Sequence, residues 1–237
     1  NTLAGKKGWK NKYCNDSWRI TNGGGAMAKT DDGCSCGQGC DYAVYSQGQD
    51  LCVKSDPVDN LLINGEADWK DYELELRLRN DDDDTMGVVF RYQNTANYYA
   101  VWFARDVAPT ADGACDGNFL GARLIKVSAS QGAGVVSILA NSKITYQKGK
   151  VHAVRMRVEG DSIQVFFDAD ANGKIDAVSE RIFNAVDKTH ASGAIGLYAY
   201  QNGADQAPCS AGGCWFDDVI VRTIEGAPLV WCAAHWP

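Results

Sequence analysis

Residues 71–79, Asp-Tyr-Glu-Leu-Glu-Leu-Arg-Leu-Arg, alternate charged and apolar side chains without a fault. Successive side chains of an extended strand point to opposite faces. Tyr72, Leu74, Leu76 and Leu78 therefore share an apolar face; Asp71, Glu73, Glu75, Arg77 and Arg79 share a charged one. A helix of period 3.6 would scatter both sets around its surface. The segment is committed to a sheet with one face on a core and the other in water.

Similar runs recur at 86–93, 98–105, 122–127, 135–139, 151–158, 162–167, 194–200 and 215–223. Turn-forming residues at 94–97, 131–134, 147–150 and 159–161 separate them. Many short strands at this spacing predict an all-β fold, a two-sheet antiparallel jelly-roll sandwich. Residues 175–188 are predicted as a short helix, because Ile175, Val178, Ile182 and Val186 recur at helical spacing. No internal repeat or linker divides the 237 residues. A single domain is expected, with a Cys-rich insertion near 30–52 and a tail near 224–237.

Asp168-Ala-Asp-Ala-Asn-Gly-Lys-Ile-Asp176 carries the sharpest chemical signal. Asp168, Asp170, Asn172 and Asp176 fall at positions 1, 3, 5 and 9 of a calcium loop, with Gly173 at the sharp turn and the Lys174 carbonyl at position 7. Hard oxygen ligands this crowded repel one another unless a hard cation neutralises them, so Ca2+ is the expected cofactor, against the plainer reading of a polar Asp/Asn/Gly turn with no metal. The match to an EF-hand is partial. Position 12 is Ser179, and the nearest carboxylate, Glu180, comes one residue late. The preceding Ser162–Phe167 reads as a strand, which puts the loop on a β scaffold. A second acidic run, Asp81–Asp84, lies between two strands and offers Asp82 and Asp84 as further candidate ligands, against the simpler reading of a solvated turn.

Nine cysteines, Cys14, Cys34, Cys36, Cys40, Cys52, Cys115, Cys209, Cys214 and Cys232, predict an oxidising compartment. The Cys34-Ser-Cys36-Gly-Gln-Gly-Cys40 cluster has few apolar neighbours to bury, and disulfides would take the place of a core. Its spacing is not that of common zinc sites. Nine is odd, so one thiol at least is free or bonded between chains. Asn1 in place of an initiator Met is consistent with a trimmed, exported chain. The net charge of −7, with no basic stripe, argues against nucleic acid, and no apolar run nears the roughly 20 residues of a membrane span.

The run Trp69-Lys-Asp-Tyr-Glu-Leu-Glu-Leu76, then Asp81–Asp84, Gly87-Val-Val-Phe-Arg-Tyr-Gln93, Asn97-Tyr-Tyr-Ala-Val-Trp102, Gly193-Ala-Ile-Gly-Leu-Tyr198 and Phe216-Asp-Asp-Val219, resembles concanavalin A-like (laminin-G-like) jelly rolls. It is most similar to the thrombospondin C-terminal lectin-like domain, over residues 60–223. The resemblance implies a two-sheet sandwich, calcium at the sheet edges, and extracellular binding or adhesion. It also implies that Asp218 ties the terminal strands together through calcium, with Asp16 of Asn15-Asp-Ser-Trp18 as its partner.

Catalytic patterns are weak. Glu73 and Glu75 share a strand face and so could meet the roughly 5–5.5 Å separation of a retaining glycosidase pair, but Arg77 and Arg79 continue that face, which reads as cross-strand ion pairing. A polysaccharide lyase would need a Gln/His pair beside a Tyr-rich strand; His152, His190 and His235 sit in no such motif. Tyr98, Tyr99 and Trp102 are expected in the core rather than stacked on sugar. The expectation is therefore a secreted, calcium-binding, disulfide-braced sandwich without a catalytic role. It would act in adhesion or as a subunit of an extracellular fibre or layer, assembling with itself through Trp231 and Trp236 of the apolar tail. The alternative is a lectin-like carbohydrate-binding module whose partner is an extracellular glycan or protein.

Overall fold

The computed structural model describes residues 61–81, 83, 85–106, 108–109, 115–116, 118–130, 133–199 and 214–225, with short strands at 10–11, 18–22, 42–46 and 228–231. In chain order the strands begin with β1 (Lys10–Asn11), β2 (Trp18–Asn22), β3 (Tyr42–Ser46), β4 (Leu61–Asn64), β5 (Tyr72–Asn80) and β6 (Met86–Asn94). β7 (Asn97–Ala104), β8 (Ala108–Pro109), β9 (Cys115–Asp116), β10 (Gly121–Ser130), β11 (Ala133–Ser142) and β12 (His152–Glu159) follow. β13 (Ser162–Phe167), β14 (Arg181–Val186), β15 (Ala194–Ala199), β16 (Cys214–Thr223) and β17 (Pro228–Trp231) complete the set. There is no helix among the described residues, and so none long and apolar enough to cross a membrane.

Two antiparallel sheets form the sandwich. One has the order β1-β4-β15-β6-β7-β10-β11; the other runs β14-β13-β12-β5-β16-β3-β2, with β17 also paired to β16. β5 behaves as its alternation requires. Tyr72, Leu74, Leu76 and Leu78 are buried, and Glu73, Glu75, Arg77 and Arg79 face outward. The apolar rows of both sheets meet in one core, with Leu74, Val88, Tyr99, Phe103, Met156, Val165, Leu197 and Phe216 among its members. Truncating a leucine here leaves a cavity that close-packed neighbours fill only in part, so Leu74→Ala costs about 2–5 kcal/mol.

The first sheet is apolar on both faces. Tyr98, Ala100 and Trp102 of β7 point away from the intersheet core and cluster with Leu61, Val89, Ile125 and Tyr198. All seven of these residues are buried. Tyr98 and Trp102 lie in this second cluster and Tyr99 in the intersheet core, so the aromatic pairs of β7 are core residues, as the alternation suggests.

The predicted helix over 175–188 is corrected. Residues 177–179 form a turn, and Arg181–Val186 is strand β14, paired with β13 in the register Val165↔Phe183 and Ile163↔Ala185. Val178 and Val186 stand 91% and 79% exposed, so their helical spacing marks no buried face.

An acidic loop and a charged groove on one sheet face

The loop after β13 starts at a buried carboxylate. Asp168 is fully buried and has no cationic partner among the described residues. The Asn172 N–H donates to its Oδ1 at 3.0 Å, and the Gly173 N–H to its Oδ2 at 2.9 Å. Gly173 has φ +80°, a left-handed turn that a side chain would strain, which is the reason for glycine at that place. Asp170 accepts from Asn172, and Asn172 Oδ1 accepts the Lys174 N–H at 2.9 Å.

Asp176 stands apart from these oxygens. Its Oδ1 accepts the N–H groups of Val178 and Ser179, both at 2.8 Å, and these bonds hold its carboxyl below the usual range. Glu180 takes the place beside Asp168 and Asp170. Ligand oxygens of Asp168, Asp170 and Glu180 all lie within 4.8 Å of one another. Two oxygens on opposite sides of one calcium ion stand about 4.6–5.2 Å apart, so the three carboxylates fit a single ion. A buried carboxylate facing two more, with only neutral N–H donors to answer it, can hold a metal ion there.

His152 fixes the loop's entry. Its Nε2 accepts the Gln147 N–H at 2.8 Å, so Nδ1 carries the proton and donates to the Asp168 carbonyl at 2.7 Å. The ring stacks on Phe167 at 5.0 Å. No metal-site motif contains His152, and nothing in the sequence marks this role.

The loop also forms a wall. Gly173 and Ile175 border an open groove of about 310 Å³ on the outer face of the second sheet. Its floor and far side come from Glu75, Arg77, Ala153, Arg155, Asp218 and Ile220. Register explains the depth. Ala153, Arg77 and Asp217 lie abreast across β12, β5 and β16, and alanine is the smallest side chain on that row. The β16 ladder then breaks between Asp217 and Ile220, where Asp218 adopts φ +50° and turns its carboxylate to Arg77, Oδ2 to Nε 3.1 Å. Arg222 Nη1 reaches Glu75 at 3.0 Å, the cross-strand pairing that the charged face suggests. Arg155 lies over the ring of Phe166 at 4.6 Å.

Asp218 is thus paired with an arginine in the groove. Asp16, Asp82 and Asp84 lie outside the described residues, as does the Cys34–Cys40 cluster. Cys214 is buried in β16, and nothing is described of the other eight cysteine side chains. The tail's residues Pro228–Trp231 pair with β16 of the same chain, Ile220 opposite Trp231, while Trp236 lies outside the described residues.

No family model matches the sequence, and no curated protein matches it. Solved structures do. A Bacillus subtilis carbohydrate-binding module, CBM66, aligns at TM-score 0.49 and 16% identity, over 86% of this chain and 94% of that one. A Bacillus halodurans xylan β-1,4-xylosidase aligns at TM-score 0.44 and 13% identity, over 73% of this chain and 31% of that one. The GH43 protein BlXynB of Bacillus licheniformis gives TM-score 0.46 and 11% identity over 89% and 38%. The all-β sandwich stands on the strand pairing itself, and the finer resemblance to the thrombospondin domain finds no support among these structures. With a xylosidase and a GH43 protein in the set, the expectation of a chain without a catalytic role is withdrawn.

Proposed function

We propose that this protein is a calcium-stabilised, carbohydrate-binding β-sandwich that receives a glycan in the groove between β12, β5 and β16. The groove itself carries the reading. It has the volume of a small-molecule site, about 310 Å³, and concentrates planar charged groups over a low floor. Guanidinium and carboxylate groups held in pairs present fixed donors and acceptors 3.0–3.1 Å apart, the pattern that vicinal sugar hydroxyls satisfy in two-point contacts. The pairing spares Arg77, Asp218, Glu75 and Arg222 the cost of lying unanswered and holds these side chains in place without ligand.

Calcium has a supporting part. Asp168, Asp170 and Glu180, helped by Asn172 and the Lys174 carbonyl, would hold the ion. Its charge would fix the loop whose Gly173 and Ile175 make the groove wall. Nine cysteines support an extracellular setting, where glycans are abundant and disulfides persist. Tail-driven assembly is the weaker reading, since Pro228–Trp231 is engaged by its own sheet.

Calorimetric titration of the intact chain with a panel of oligosaccharides tests the proposal, with product analysis for bond cleavage. Saturable binding that Arg77→Ala abolishes supports it. Binding that survives Arg77→Ala, or no binding across the panel, overturns it.

A further inference from the structure

Resting on that reading, the charges of the groove identify the kind of sugar. Four ionic groups line it: Glu75, Arg77, Arg155 and Asp218. Asp218 is answered by Arg77 and Glu75 by Arg222. Arg155 is not answered. It sits opposite Glu75 in the β12–β5 register, yet no carboxylate among the described residues lies within 4.0 Å of it. Its one described contact is the face of Phe166. That contact seats the guanidinium carbon over the ring at 4.6 Å and uses none of its N–H groups on a carboxylate. Counting Arg222 with the Glu75 that it answers, three guanidiniums stand against two carboxylates here, and half-buried Arg155 is the one left over, on a chain whose net charge is −7.

We propose that the groove selects an anionic glycan, and that Arg155 receives the carboxylate or sulfate of the sugar while the two ion pairs engage its hydroxyls. A neutral sugar would leave that guanidinium facing nothing but water. A carboxylate or sulfate presents two oxygens in the plane of the fork and forms parallel charge-assisted hydrogen bonds. Lysine on the same stem would supply the charge without the fork, so geometry and charge can be separated.

Intact protein is titrated with three probes: a galacturonic acid oligomer, a sulfated galactose oligomer and a neutral xylose oligomer. At least one anionic probe binds ~10-fold or more tightly than the neutral one, and the stronger of the two names the substituent. Arg155→Gln brings the anionic probe's affinity down to that of the neutral probe in the same variant; Arg155→Lys keeps part of the preference. Thermal melting checks each variant, and if Arg155→Gln fails to fold, the partial loss in Arg155→Lys decides. Equal affinity for the neutral and anionic probes, or a preference that survives both substitutions, overturns the inference and leaves the glycan-binding reading standing. No binding of any probe overturns both.

Discussion

Arg77 Nε and Asp218 Oδ2 lie 3.1 Å apart across the groove, and the contact exists only because β16 breaks register. Asp218 stands at φ +50°, a region that asparagine and aspartate tolerate better than other side chains. Asp218→Asn should therefore keep the backbone and remove the charge. The expected outcome is glycan affinity weaker by about 1.5–3 kcal/mol with a stability change of about 0–1 kcal/mol, since the pair is partly solvated. Titration and thermal melting measured on the same sample separate the two effects.

Calcium binding should follow the carboxylates that converge. Asp168→Asn and Glu180→Gln should each abolish tight binding, because each removes one of three clustered anionic ligands. Asp176→Asn should leave it largely intact and loosen the 177–179 turn instead. Chelation should lower the melting temperature of the parent chain and leave that of Asp168→Asn unchanged. If Asp176→Asn proves as damaging as Glu180→Gln, the loop binds in the EF-hand order, through Asp176.

Arg91 braces the end of the sandwich near the 187–193 loop. It is 1% exposed, adopts φ +47°, and donates to the carbonyls of His190, Gly160 and Lys70 at 3.1, 2.6 and 3.2 Å. Arg91→Met would orphan three carbonyls at once. A loss of about 3–5 kcal/mol is expected, read from denaturant unfolding. A change below about 1 kcal/mol would show that water replaces the guanidinium there.

Acid and alkali should act on one cluster from opposite sides. Burial works to raise the carboxyl of Asp187, but hydrogen bonds from Lys126, Thr189 and Tyr99 outweigh it and hold the group well below the usual carboxylate range. The unfolded chain then binds the proton more readily, so this stability is present above about pH 4 and is lost as pH falls below it. Burial, with the bond to Asp187, pushes the Tyr99 phenol up to about 12. Its contribution is full below about pH 10 and is lost as pH rises towards 12. Lys126→Met should cost about 1–2 kcal/mol at pH 7 and flatten the acid slope. Tyr99→Phe should remove this cluster's share of the alkaline loss. Unfolding curves across pH 2–11 check both.

Much of this was legible in the sequence because period-two alternation is a strong signal where one face is buried. The run 71–79 became β5, and 162–167 became β13 with those bounds. The 175–188 segment misled because four apolar residues at helical spacing occur by chance in a short stretch, while the pairing partner that makes β14 a strand lies across a loop. Strand β4, Leu61–Asn64, carries no such signal, because it is buried on both faces and too short to alternate. Ligand spacing located the acidic loop, but Glu180 joins through a turn that spacing alone does not encode. The groove left no motif, since its residues come from three strands aligned by register and one bulge.

Amide chemical shifts of the isotopically labelled chain, followed during titration with a bound oligosaccharide, locate the glycan on the sheet. Shifts are expected to concentrate at 75–77, 153–155, 173–175 and 218–220. Shifts confined to the β7 and β15 sheet, or absent with every glycan tried, would contradict glycan binding in the groove.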